Sequence, residues 1–99
     1  PEVASDTTPE AADAMVERAL SAFNGRWKDG TRHKGWRDIE VERRARVLVN
    51  AAAAMRARRD ELSGIIIKEN GKCWVDADAD VAEAIDFCEF YAREAGHLF

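Results

Sequence analysis

The run Gly71-Lys72-Cys73 holds the side chain best placed for nucleophilic chemistry, since a thiolate beside a cation is the form that attacks electrophiles. No histidine stands in the same run to act as its base, so Cys73 reads as a structural thiol. Cys88 falls among apolar residues at helical spacing and reads as a small core residue. Asp76, Asp78 and Asp80 have the alternation that opens a calcium loop, but Val81 stands where that loop needs Gly and Phe87 where it needs a bidentate Glu. His33 and His97 are too few, and too far from a cysteine pair, for a zinc centre, and no metal site is expected. No GxGxxG or GxxxxGK run is present to cradle a phosphate. The residues alone therefore describe no self-contained catalytic site.

The elements that would carry these side chains read as helices. Thr8-Pro9 is a helix start, with a capping hydroxyl followed by a residue suited to the first helical position. Ala12, Val16, Ala19, Leu20 and Phe23 then recur at spacings of three and four, and Asn24-Gly25 closes the helix. Residues 25–38 carry three glycines and no periodicity, and predict a loop anchored by Trp27 and Trp36. Asp38 is expected to cap the next helix, whose apolar face is Val41, Ala45, Leu48, Ala52 and Met55. Its arginines, from Arg43 to Arg59, predict a solvated face paired with Glu40, Glu42 and Asp60.

The register is expected to break near Arg59-Asp60, before a shorter helix carrying Leu62, Ile65 and Ile66 and closed by Gly71 as a left-handed cap. Ile65–Ile67 also fits a strand, and the spacing to Leu62 favours the helix. A last helix is predicted to begin between Asp76 and Asp80, where carboxylates suit the positive end of the helix dipole. Val81, Ile85, Cys88 and Ala92 line one side of it, and Ala84, Phe87 and Tyr91 another. An apolar arc that wide asks for partners on more than one side.

Ninety-nine residues, 46% hydrophobic and 34% charged, make one small soluble domain. A net charge of −4 and a pI of about 5.2 show no overall cationic surplus of the kind that phosphate backbones require, so no nucleic acid is expected as partner. No apolar run is long enough for a bilayer, and the start PEVASDTTPEAAD has no basic region followed by a hydrophobic one, so no membrane partner is expected. Two cysteines separated by fourteen intervening residues make no disulfide framework, and a reducing, cytoplasmic setting is expected.

The segments AMVERALSAFNGRW, VERRARVLVNAAAAMRARRDEL, IIIKENGK and DADADVAEAIDFCEFYAR, in that order, resemble the N-terminal helical region of the aldehyde dehydrogenase superfamily. The last of them resembles the branch that oxidises L-glutamate γ-semialdehyde, the Δ1-pyrroline-5-carboxylate dehydrogenases of proline breakdown. The resemblance covers residues from about 10 to 95. Asn70, where the family more often has Ala, and Cys73, where it often has Pro, depart from the pattern. Residues 25–38 are also fuller than the family's connection after its Trp.

The resemblance implies an all-α segment of about four helices, spanning residues 1–99, at the N-terminal end of a larger α/β aldehyde dehydrogenase fold. It implies a parent enzyme that uses NAD, extending to a bifunctional chain with proline dehydrogenase upstream. Its partners would be the rest of the dehydrogenase chain, a small aldehyde substrate, and further copies met through exposed apolar faces. The family's nucleophile lies in a Gly-Gln-X-Cys context and its general base in Glu-Leu-Gly-Gly; neither occurs here, so no catalytic residue and no bound cofactor is expected, and the segment alone is expected to be inactive. The Glu of AEAIDF, here Glu83, faces substrate in that branch, and Phe87 would share the channel wall. The alternative reading is a free-standing helical domain that binds a protein partner without catalysis.

Overall fold

The computed structural model describes residues 6–98. Helix α1 (Pro9–Asn24) begins where its residues foretell: the Thr8 hydroxyl accepts the Ala11 N–H at 3.1 Å, and Pro9 occupies the first turn, where a missing N–H costs nothing. It ends as Gly25 takes a φ of 76° and donates its N–H to the Ser21 carbonyl at 2.9 Å. Helices α2 (Val41–Ala57), α3 (Arg59–Asn70) and α4 (Trp74–Leu98) follow. Gly71 closes α3 in the left-handed conformation at φ 68°, and Ile65–Ile67 are helical.

Residues 25–38 are not the loop their composition suggests. Strands β1 (Arg26–Lys28) and β2 (Thr31–His33) pair antiparallel, with Arg26 opposite His33 and Lys28 opposite Thr31, and a 3-10 turn (Trp36–Asp38) follows. Asp29 and Gly30 both have positive φ, 53° and 74°, the pattern of a two-residue type I′ turn. Neither tryptophan is an anchor: Trp27 is 73% and Trp36 43% exposed.

The segment is held instead by polar groups and by two glycines. The Asp38 carboxylate accepts the Gly35 N–H at 2.9 Å and the Arg32 guanidinium at 2.8 Å, while Arg32 also donates to the Asn24 carbonyl. Asp38 is thereby spent on the hairpin, and α2 begins at Glu40 with no side-chain cap. Gly25 and Gly35 touch backbone to backbone, and a Cβ on Gly35 would stand 2.1 Å from the Gly25 nitrogen.

The chain divides into two compact units, Pro1–Ile39 and Glu40–Phe99. Within the second, α4 lies along α2 and α3. Ala52, Val81 and Ile85 form the buried cluster, with Met55, Leu62, Ile66 and Cys88 packed around it. Ala52 and Ala77 are almost completely buried, and these small side chains let the helix backbones approach closely. Ser63 is also fully buried and satisfies its hydroxyl on the Arg59 carbonyl one turn back, at 2.9 Å. Starting at Trp74 rather than within Asp76–Asp80, α4 is one turn longer at its N-terminus than expected, and its Ala77 N–H bonds the Cys73 carbonyl.

Three ion pairs fasten the last helix. Arg59 grips Asp78 with two hydrogen bonds of 2.6 and 2.7 Å, Arg56 reaches Glu89 at 2.6 Å, and Lys72 reaches Asp80 at 2.6 Å. Arg58 pairs with Glu61 inside α3. Arg43, Arg46, Arg56 and Arg58 are exposed as expected, but Arg44 and Arg59 are part-buried, the Arg44 Nε without a hydrogen-bond partner, and the carboxylate partners of Arg56, Arg58 and Arg59 are Glu89, Glu61 and Asp78 rather than Glu40, Glu42 and Asp60.

Candidate functional site

Helix α4 has two faces. Ala77, Val81, Ile85 and Ala92 turn inward and are buried. The opposite side carries both residues singled out from the sequence. Glu83 is exposed and Phe87 is 50% exposed. Residues four apart on a helix stand one above the other, with Cβ atoms about 5–6 Å apart, so this carboxylate and this ring share one patch of surface. The Phe87 ring stacks on Tyr91 with centroids 6.0 Å apart and planes at 27°, and Phe90 meets Tyr91 edge-on at 5.2 Å. Tyr91 thus links Phe87 and Phe90 into a row of aromatic rings on the surface of α4.

The electrostatics below this patch are ordered by Lys72. Its ammonium is held by the Asp80 carboxylate, and the hydrogen bond, then the charge of Asp80, then those of Asp76 and Glu83, raise its pKa above the ordinary 10.5. Glu83 thus stands within the field of a fixed cation without being consumed as its direct partner. Asp78 turns to Arg59, whose hydrogen bond lowers the Asp78 pKa below the ordinary 3.8. The triplet Asp76, Asp78 and Asp80 is accordingly spread around a helix, two of its members engaged by Arg59 and Lys72. Among the described residues no group of three or more His, Cys, Asp or Glu side chains converges as a metal centre.

Cys73 is exposed and Cys88 half-buried against the core, and both thiols are free. Gly64 and Gly96 lie inside helices, Gly71 caps one, and Gly25, Gly30 and Gly35 belong to the hairpin. Among the described residues none forms the glycine turn at a helix N-terminus that holds a dinucleotide, and these residues do not fit NAD. No helix of the described residues is long and apolar enough to cross a membrane.

A helical segment with a small hairpin, whose longest helix presents a carboxylate and a row of aromatics outward, has a counterpart among known families. The aldehyde dehydrogenase family pattern matches residues 2–99, and the chain belongs to that family, corresponding to the N-terminal part of its fold.

Among its relatives it is 44% identical over 91 residues to the 1-pyrroline-5-carboxylate dehydrogenase of Bacillus subtilis (strain 168), covering 92% of this chain and 16% of that protein. It is 54% identical over 90 residues to 1-pyrroline-5-carboxylate dehydrogenase 1 of Halalkalibacterium halodurans, covering 91% of this chain and 16% of the relative. Over 85 residues it is 56% identical to the enzyme of the same name in Bacillus mycoides, with 86% of this chain and 15% of the relative covered. The chain therefore spans about one sixth of the length of the relatives it matches. No solved structure matches it significantly.

Proposed function

We propose that this chain is the N-terminal helical segment of an NAD-dependent enzyme that oxidises L-glutamate γ-semialdehyde, the open form of Δ1-pyrroline-5-carboxylate, to L-glutamate in proline catabolism. Within that enzyme the segment supplies no reacting group. It contributes a wall of the substrate's approach, with Glu83 receiving the substrate's ammonium and Phe87 bounding the passage. The observation that carries the assignment is the pairing of an exposed carboxylate with an exposed aromatic one turn later on a helix whose other face is buried. A carboxylate facing an ammonium makes a charge-assisted hydrogen bond, stronger than a neutral one and more so as surrounding chain excludes water. The Phe87 ring packs against Tyr91 on the same face of the helix.

The activity for which the relatives are named supports this substrate, and the exposed apolar face of α1, with Met15, Val16, Leu20 and Phe23 all about half exposed, supports a segment of a larger body over a self-contained interaction domain.

The test is kinetic. In the full-length enzyme Glu83→Ala raises the KM for the semialdehyde well above its effect on the KM for NAD. Equal effects on both constants, or none on either, would sink the assignment of Glu83.

A further inference from the structure

A cavity of about 440 Å³ opens within the first unit, lined by Arg18, Ser21, Arg26, His33 and Lys34 and floored by Ala22 and Gly25. Its construction follows from the hairpin. Arg26 and His33 are register partners at the open end of the two strands, and Lys34 follows directly. Arg18 and Ser21 are three apart on α1 and so share the helix face that meets the strands. The backbone contact between Gly25 and Gly35 brings hairpin and helix end together, since a Cβ on Gly25 would stand 2.3 Å from the His33 carbonyl oxygen.

Three cations line this cavity and no carboxylate does. Among the described residues Arg18, Arg26 and Lys34 take part in no ion pair; the neighbouring Arg32 is the one that Asp38 occupies. The concentration of charge is local. Arg26, Lys28, Arg32, Lys34 and Arg37 face a single carboxylate, Asp29, across residues 25–37 of a chain whose net charge is −4. The C-terminal end of α1 brings about half a negative charge to the same place, partly quenched by the Gly25 N–H on the Ser21 carbonyl, and three full cations outweigh it.

We propose that this cavity binds a small phosphate-bearing molecule. Arg18, Arg26 and Lys34 would neutralise a phosphate monoester dianion, with the Ser21 hydroxyl and the His33 imidazole donating to its oxygens. Two guanidiniums favour the fork geometry of phosphate oxygens, and three cations exceed what one carboxylate balances. The volume is larger than orthophosphate needs and lies within the range of small-ligand sites, about 300–1,000 Å³. The site does not depend on the semialdehyde assignment.

Calorimetry on the full-length protein tests it, with glycerol 3-phosphate and inorganic phosphate as probes and succinate as the carboxylate comparison. Glycerol 3-phosphate binds, and Arg26→Gln and Arg18→Gln each weaken it about tenfold or more, as expected for loss of a charge-assisted contact. Arg18 is exposed on α1 outside the hairpin, so its substitution leaves the strands intact and keeps the test valid if Arg26→Gln disturbs them. Binding unchanged in both variants, or absent from the wild type, overturns the proposal. Succinate binding as tightly as the phosphate monoester overturns the ligand class. A single-stranded RNA oligomer that binds far more tightly than either overturns the small-ligand reading.

Discussion

Replacing Gly35 with alanine tests whether the two-glycine contact is what closes the hairpin on the end of α1. Gly35 has φ −93° and ψ 177°, a conformation open to any residue, so its backbone alone gives no reason for glycine. Space does. The added methyl carbon would stand 2.1 Å from the Gly25 nitrogen, 2.3 Å from the Phe23 oxygen and 2.5 Å from the Asn24 carbonyl carbon, all of them backbone atoms that cannot rotate aside. Relief requires the strands and the helix end to part by more than an ångström. Overpacking with flexible neighbours costs about 1–3 kcal/mol, and rigid backbone neighbours place this case at or above about 3 kcal/mol.

Separation would also strip the Arg32 contact with the Asn24 carbonyl. For a unit this small the loss is enough to open the hairpin. Amide hydrogen exchange of residues 26–33 reads it directly, with protection lost in Gly35→Ala. The control is Gly30→Ala at the turn tip. There φ is 74° but nothing lies within 4 Å, so only the left-handed backbone term of about 1–2 kcal/mol applies. Gly35→Ala costing no more than Gly30→Ala would refute the reasoning.

Gly64, inside α3 with open space around its Cβ position, predicts the opposite sign: Gly64→Ala raises stability by about 0.5–1 kcal/mol in a denaturant titration. Ile85→Ala removes a side chain from the buried cluster and lowers stability by about 2–4 kcal/mol in the same assay. Phe87→Ala, at half exposure, costs far less stability and instead raises the KM for the semialdehyde. Acid titration followed by circular dichroism reports the ion pairs. Asp78 and Glu89 are held below their ordinary values of 3.8 and 4.5, chiefly by hydrogen bonds from Arg59 and Arg56. Because both carboxyls titrate lower folded than unfolded, their contribution is complete above about pH 5 and is lost as pH falls through the folded values. Asp78→Asn removes the Asp78 share of that acid-side loss.

What the sequence revealed and what it hid separate along physical lines. Thr8-Pro9, Gly25 and Gly71 mark helix ends through their own backbone chemistry, and the apolar spacings of α2 and α4 gave their buried faces. The hairpin is hard to see in the sequence because its strands are three residues long and wholly exposed, so no alternation of apolar and polar residues betrays them. The available signal was Asp29-Gly30, a dipeptide suited to a two-residue turn between facing strands. Asp38 reads as a helix cap in the sequence because nothing local shows that Gly35 and Arg32 claim its carboxylate. Glu83 and Phe87 are reached through the family resemblance and not through periodicity, whereas the cationic cavity depends on the hairpin bringing residues of α1 and both strands together.

The touching backbones of Gly25 and Gly35 also bear on how this region can change over generations. The chain leaves α1 and returns to nearly the same point, so everything between the two glycines is a detour whose entrance and exit coincide. Such a detour can be lengthened, shortened or exchanged while the path on either side stays where it is. The turn at Asp29-Gly30, away from the cavity, is therefore a natural graft site for a new loop.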